Sequence, residues 1–186
     1  STYEEAAAWI QETVDPAEDI VHLSIPMTLP VRSTAASLAA EKAFFPGRGL
    51  GWYDYQEAVG EADSDQAYQT RWLPLHNMEL LQWARRSRRE FVHSLAGGYC
   101  INEVFPGRSV GTELEDVRIG LQQEAKLLLR LSPDEHPMVS LPIGYQEATN
   151  VPLPHRAMRI LRARALGPYL EIFRLPPPSS EPAIPR

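Results

Sequence analysis

Apolar residues recur at helical spacing along much of the chain, broken by proline and glycine where the pattern changes. The opening segment pairs Thr2 with Glu5 as a capping box and continues through Trp9 and Ile10, which predicts a helix that Asp15-Pro16 ends. The run DIVHLSIPMTLPV from Asp19 to Val31 alternates like a strand. Pro26 and Pro30 donate no ladder hydrogen bond, so the run reads as an edge strand or extended arm and not as a central strand. Ser33 and Thr34 cap a second predicted helix through the alanine-rich stretch to Phe45, and Pro46 stops it.

Residues 46–76 (PGRGLGWYDYQEAVGEADSDQAYQTRWLPLH) read as one long loop rich in glycine, acids and aromatics, with at most one short helix near 55–61. Loops of that length are usually functional or packed on another surface. A long helix is expected over 77–96, ending at Gly97-Gly98, with Leu80, Leu81, Ala84, Phe91, Val92 and Leu95 on one face. Another is expected from the capping box Thr112 and Glu115, on the stripe Leu114, Val117, Leu121, Ala125, Leu128 and Leu131, with Ser132-Pro133 as its end. Met138 to Ile143 reads as a short strand, Val151 to Pro154 as extended, 155–166 as a helix, and YLEIFRL at 169–175 as a last strand.

The resulting expectation is a mainly α, or α+β, fold: an irregular helical domain with a few short extended segments and Pro-rich arms. Residues 1–175 are expected to form a single globular domain and 176–186 (PPPSSEPAIPR) a polyproline-like C-terminal arm. Eleven of the 17 prolines lie between Pro133 and Pro185, so much of the last third must be neither helix nor ladder.

Composition sharpens the picture in two ways. With 44% hydrophobic and 23% charged residues the chain is an ordinary globular sequence, which excludes collagen, coiled coil and wholesale disorder. No apolar run reaches membrane-spanning length, and Ser1 to Ile10 is acidic, unlike a signal peptide. Residues 1–70 carry net charge −9 and residues 71–186 net +3, an asymmetry that suits surfaces meeting partners or each other. Sixteen of the 18 bases are arginine, whose planar fork favours fixed contacts. The single cysteine, Cys100, excludes an internal disulfide and fits an intracellular, reducing compartment.

Candidate chemistry is sparse. Arg88 falls inside the apolar stripe of the 77–96 helix and is expected to be buried and paired with an acid from another element, since an uncompensated buried charge costs several kcal/mol. Arg85, Arg86, Arg89 and His93 form a basic patch on the adjacent face. Nucleophilic catalysis would require Cys100 with His93 or His76 as base and Glu103 to orient it. Beside tyrosine and isoleucine, after a glycine pair read as a turn, Cys100 is better placed as a packing residue. His22, His76, His93, His136 and His155 show no metal-binding spacing, and Asp63-Ser64-Asp65 lacks the rest of a calcium loop. No catalytic residue, cofactor or metal is assigned.

The favoured reading is a non-enzymatic structural or interaction subunit of a larger assembly or homo-oligomer. Its contacts would be Arg85, Arg86, Arg88, Arg89 and His93, the aromatic loop residues Trp52, Tyr53 and Tyr55, and Pro176, Pro177, Pro178 and Ile184 of the tail. The partners would be protein subunits. The first alternative is a small enzyme or anion-binding protein using Arg88, His93 and Cys100. A third reading is nucleic-acid binding through the Arg85 to Arg89 helix, which a pI near 5.4 disfavours.

Overall fold

The computed structural model describes residues 2–24, 31–44, 56–58, 66–74, 78–95, 97–104, 112–132 and 169–177. They form an α/β fold built on one mixed six-stranded sheet, which replaces the mainly helical fold expected from sequence. The elements are α1 (Thr2–Thr13), β1 (Asp19–Ser24), β2 (Arg32–Ser33), α2 (Ala35–Phe44), β3 (Ala67–Pro74), α3 (Met78–Arg86), α4 (Arg88–Ser94), β4 (Tyr99–Val104), α5 (Thr112–Glu124), β5 (Lys126–Leu131) and β6 (Tyr169–Arg174). A helical turn also lies at 56–58. The strand order is β2-β3-β1-β4-β6-β5, parallel from β2 to β4, with β6 antiparallel to both β4 and β5.

Four expectations are corrected by this sheet. First, β1 is a central strand, flanked by β3 and β4. It ends at Ser24, before Pro26, so neither proline interrupts its ladder. Second, the expected loop over 46–76 contains β3, whose polar Gln69, Thr70 and Arg71 hid an eight-residue strand. Third, the segment after Gly97-Gly98, to which no element was assigned, is the strand β4 and carries Cys100. Fourth, the helix expected to run to Leu131 ends at Glu124, and KLLLRL becomes the edge strand β5. That short apolar run fits either period, and pairing with β6 decides it.

Two apolar layers sandwich the sheet. On one face α1 packs Ala6 and Ile10, with Val14 just past its end, against Ile20, Ile101, Leu170 and Ile172. Their spacing of four keeps these residues on one side of the helix. On the other face α3, α4 and α5 bury Leu80, Leu81, Ala84, Phe91, Val92, Leu95, Val117 and Leu121 over Val21, Leu23, Cys100 and Phe173. Burying each large side chain contributes about 1.5–3 kcal/mol.

The single helix expected over 77–96 is broken at Ser87, whose extended backbone (φ −149°, ψ 88°) separates α3 from α4. The break lets Trp83 and Phe91 meet edge to face, with centroids 5.8 Å apart at 90°. In one straight helix these residues would stand about 12 Å apart along the axis. At Gly120 on α5 a Cβ would lie 3.2 Å from Arg88 Cβ and 3.3 Å from Val92 Cγ2, so the glycine allows close approach of α4.

The edge of β3 beyond β2 is covered by α2. Ser37 Oγ accepts from the Thr70 amide at 2.8 Å and Glu41 Oε1 from the Trp72 amide at 2.9 Å. One helical turn matches two residues of strand, so side chains four apart satisfy alternate amides and blunt the edge. The helix itself starts on Thr34, whose Oγ1 accepts from the Ser37 amide at 3.3 Å.

Candidate functional site

The chain leaving β1 passes through β2 and α2 to β3 on one side. The chain leaving β4 passes through α5 to β5 on the other. Neighbouring parallel strands whose outgoing connections diverge form a topological switch point, where open α/β sheets bind ligands beyond the carboxyl ends. Among the described residues this junction holds a buried polar cluster.

His22 is the fourth residue of β1 and Glu103 the fifth of β4. His22 pairs in register with Ile101, so Glu103 lies diagonally ahead of it on the same face of the sheet. Both side chains are fully buried, with His22 Nε2 3.6 Å from Glu103 Oε1. Tyr3, near the start of α1, donates its hydroxyl to Glu103 Oε1. Both ring nitrogens of His22 and Oε2 of Glu103 have no hydrogen-bond partner among the described residues. More than nine in ten buried polar groups in folded proteins are hydrogen-bonded, so three orphaned atoms in one cluster mark a place where something polar belongs.

Chemically the pair is suited to proton transfer. An imidazole presents a donor or acceptor at each nitrogen, and a carboxylate accepts at both oxygens. A tyrosine hydroxyl on one oxygen fixes the rotamer, and the other oxygen is buried without a hydrogen-bond partner among the described residues. No group of three or more histidine, cysteine or acidic side chains among the described residues could hold a metal ion.

The residues singled out from sequence lie elsewhere. Arg88 pairs with Asp116 through both Nε, at 3.0 Å, and Nη2. Its side chain is 40% exposed and that of Asp116 10%, so the guanidinium is paired at the rim and is not buried as expected. Its stem covers the apolar surface while its head reaches water. Arg85, Arg86 and Arg89 are exposed, and Arg89 Nε approaches Glu124 Oε2 at 3.9 Å. His93 Nε2 faces the same carboxylate at 3.4 Å. Cys100 is fully buried, and burial pushes its thiol well above the ordinary value of 9.0, with Arg71 and Glu171 acting in opposite directions. Arg88, His93 and Cys100 therefore have three different environments.

The tail begins on the chain's own sheet: the Leu175 amide donates to Gly98 O at 3.0 Å and the Gly97 amide to Pro176 O at 3.2 Å. Pro176 is half-buried and Pro177 exposed. Trp52, Tyr53, Tyr55, Pro178 and Ile184, and the elements expected at 138–143, 151–154 and 155–166, lie outside the described residues.

His22 and Glu103 as a pair were missed from sequence because 81 positions separate them. One signal was present. In DIVHLS the histidine occupies the same face as Ile20, an inward position where a polar residue needs a reason.

Comparison with protein-family models, with curated proteins and with solved structures returns no match to this chain. No helix among the described residues is long and apolar enough to cross a membrane.

Proposed function

We propose that the chain is a ligand-binding α/β domain whose site lies at the carboxyl ends of β1 and β4. There His22 and Glu103 act as an acid–base pair toward a bound small molecule, and Tyr3 holds the carboxylate in place. The observation that carries this reading is the set of three buried atoms, His22 Nδ1, His22 Nε2 and Glu103 Oε2, that have no hydrogen-bond partner among the described residues, at the switch point of the sheet. A buried polar group left without a partner costs about 1–3 kcal/mol. Three such atoms together are the pattern of a site kept for function at the expense of stability.

Ligand-observed NMR with a fragment library, run on the wild type and on the doubly apolar variant His22→Leu with Glu103→Met, tests the reading. Fragments that bind only the wild type support it. Identical sets of binders in both proteins overturn it.

The interaction-subunit reading rests on a different observation, the exposure of Arg85, Arg86 and Arg89 on α3 and α4. An acidic protein surface is the partner such a patch suits, and nucleic acid would use the same arginines. Sedimentation of the wild type against Arg86→Glu with Arg89→Glu tests it: a self-association or partner complex lost in the variant supports the subunit role. The hydrogen bond from the Gly97 amide to Pro176 O gives the first residue of the tail an intramolecular seat.

A further inference from the structure

The opposite face of the sheet carries a second polar cluster, independent of His22 and Glu103. Glu171, in the middle of β6, has its side chain 2% exposed. Arg130, its register partner on β5, reaches Glu171 Oε1 through Nε at 2.9 Å and Nη2 at 2.7 Å. Arg118, from α5 above the sheet, places Nε 3.4 Å from Oε2 and Nη2 3.4 Å from Oε1. Its Nη1 is also 3.8 Å from Glu115, a carboxylate 60% exposed. A pair that exposed contributes little.

A buried carboxylate requires compensation, and one arginine in bidentate geometry supplies it. Here two guanidiniums converge on a single buried carboxylate, and the second acid beside Arg118, Glu115, is exposed and solvent-screened, so it offsets the surplus of positive charge around Glu171 only weakly. The Arg118 and Arg130 side chains are 31% and 50% exposed, so both remain accessible to solvent while they hold Glu171. The nearby acid Asp116 is already engaged by Arg88. Glu171 thus holds two forks in fixed positions on two different elements, which removes much of the rotamer entropy that free arginines lose on binding.

We propose that Arg118 and Arg130, positioned by Glu171, form a clamp for an oxyanion, the phosphoryl or carboxylate group of a small ligand. Two guanidiniums approaching from the helix above and the strand beside it present donors from two directions, as oxyanion recognition requires.

Isothermal titration calorimetry on the full chain at low ionic strength, with inorganic phosphate and separately with acetate as probes, tests the proposal. Each single variant, Arg118→Gln or Arg130→Gln, leaves Glu171 one arginine and so keeps the buried carboxylate compensated. Each is expected to weaken binding about tenfold, the worth of one charge-assisted hydrogen bond. Lys42→Gln, on α2, is expected to leave it unchanged. Binding of phosphate alone assigns the clamp to phosphoryl groups, and comparable binding of acetate assigns it to carboxylates. Absence of binding to both probes, or affinities that neither Arg118→Gln nor Arg130→Gln alters, overturns it.

Discussion

His22 Nε2 stands 3.6 Å from Glu103 Oε1 across the boundary between β1 and β4, the neighbouring parallel strands whose onward connections diverge. The pair is packed into the apolar layer beneath α1, close to Ile101, Leu170 and Ile172. Its polarity therefore opposes its surroundings. A double-substitution cycle measures by how much. His22→Leu alone leaves a buried carboxylate with Tyr3 as its remaining partner and should cost on the order of 3 kcal/mol. The combined His22→Leu and Glu103→Met variant should recover that loss and match or exceed the wild type by about 1–4 kcal/mol. Urea denaturation reads all the variants. A double variant less stable than His22→Leu alone would make the cluster structural.

The edge of β3 offers a second test. Glu41 Oε1 accepts the Trp72 amide at 2.9 Å, on a strand edge that no other strand among the described residues covers at that point. Glu41→Gln keeps a carbonyl oxygen for that amide and should stay within about 1 kcal/mol of the wild type. Glu41→Ala removes that acceptor and should cost about 2 kcal/mol. It should also raise the tendency to aggregate, because an open edge amide recruits other strands. Thermal unfolding with turbidity detection follows both effects.

Cys100 supplies the pH dependence. Burial raises its thiol pKa far above the ordinary 9.0, so the folded state holds the proton that the unfolded state releases in mild alkali. The group's contribution is thus fully present below pH 9 and is lost as pH rises toward the folded value. Between those limits stability should fall by about 1.4 kcal/mol per pH unit from this group. Tyr68, raised by burial and by the charge of Asp15, adds a loss of the same sign at higher pH. Cys100→Ala should flatten the decline between pH 9 and 10 in urea denaturation. An equally steep decline in Cys100→Ala would show that other groups control it. The thiol should also react with Ellman's reagent only as fast as the protein opens.

Local periodicity located the helices well and the sheet poorly, and particular residues show why. Leu80, Leu81, Ala84, Phe91, Val92 and Leu95 share one face in the sequence and are all buried, although Ser87 divides the helix that carries them. YLEIFRL reads as a strand and is one, since β6 is buried on both faces at Leu170, Glu171, Ile172 and Phe173. By contrast β3 and β4 place Thr70, Asn102 and Glu103 in buried positions, where polar side chains break the apolar run that marks a central strand. Thr70 and Glu103, and Glu171 on β6, acquire meaning only through partners distant in sequence: Ser33 for Thr70, Tyr3 for Glu103, Arg118 and Arg130 for Glu171. A single sequence displays the polar residue but not its partner, so both polar clusters were invisible while the arginine patch, local to one segment, was not.

Two glycines separate close approach from backbone conformation, and alanine substitution at each should give unequal results. Gly98 has φ 75°, and a Cβ there would lie 2.1 Å from the carbonyl oxygen of Asp19, in the strand hydrogen-bonded beside it. An L-residue in that left-handed region costs roughly 1–2 kcal/mol. The clash is with backbone, so relief would require β1 and β4 to separate at the start of their ladder. Gly98→Ala should therefore cost about 3 kcal/mol or more, combining that strain with overpacking of about 1–3 kcal/mol. Gly120 sits inside α5, where alanine gains about 1 kcal/mol of helix propensity over glycine. Its new Cβ would meet Arg88 Cβ at 3.2 Å and Val92 Cγ2 at 3.3 Å, contacts that a shift of a few tenths of an ångström relieves. The two effects nearly cancel, so Gly120→Ala should remain within about 1 kcal/mol of the wild type. Urea midpoints of the two variants decide the matter: equal losses would mean that α4 and α5 are locked as rigidly as the central strands.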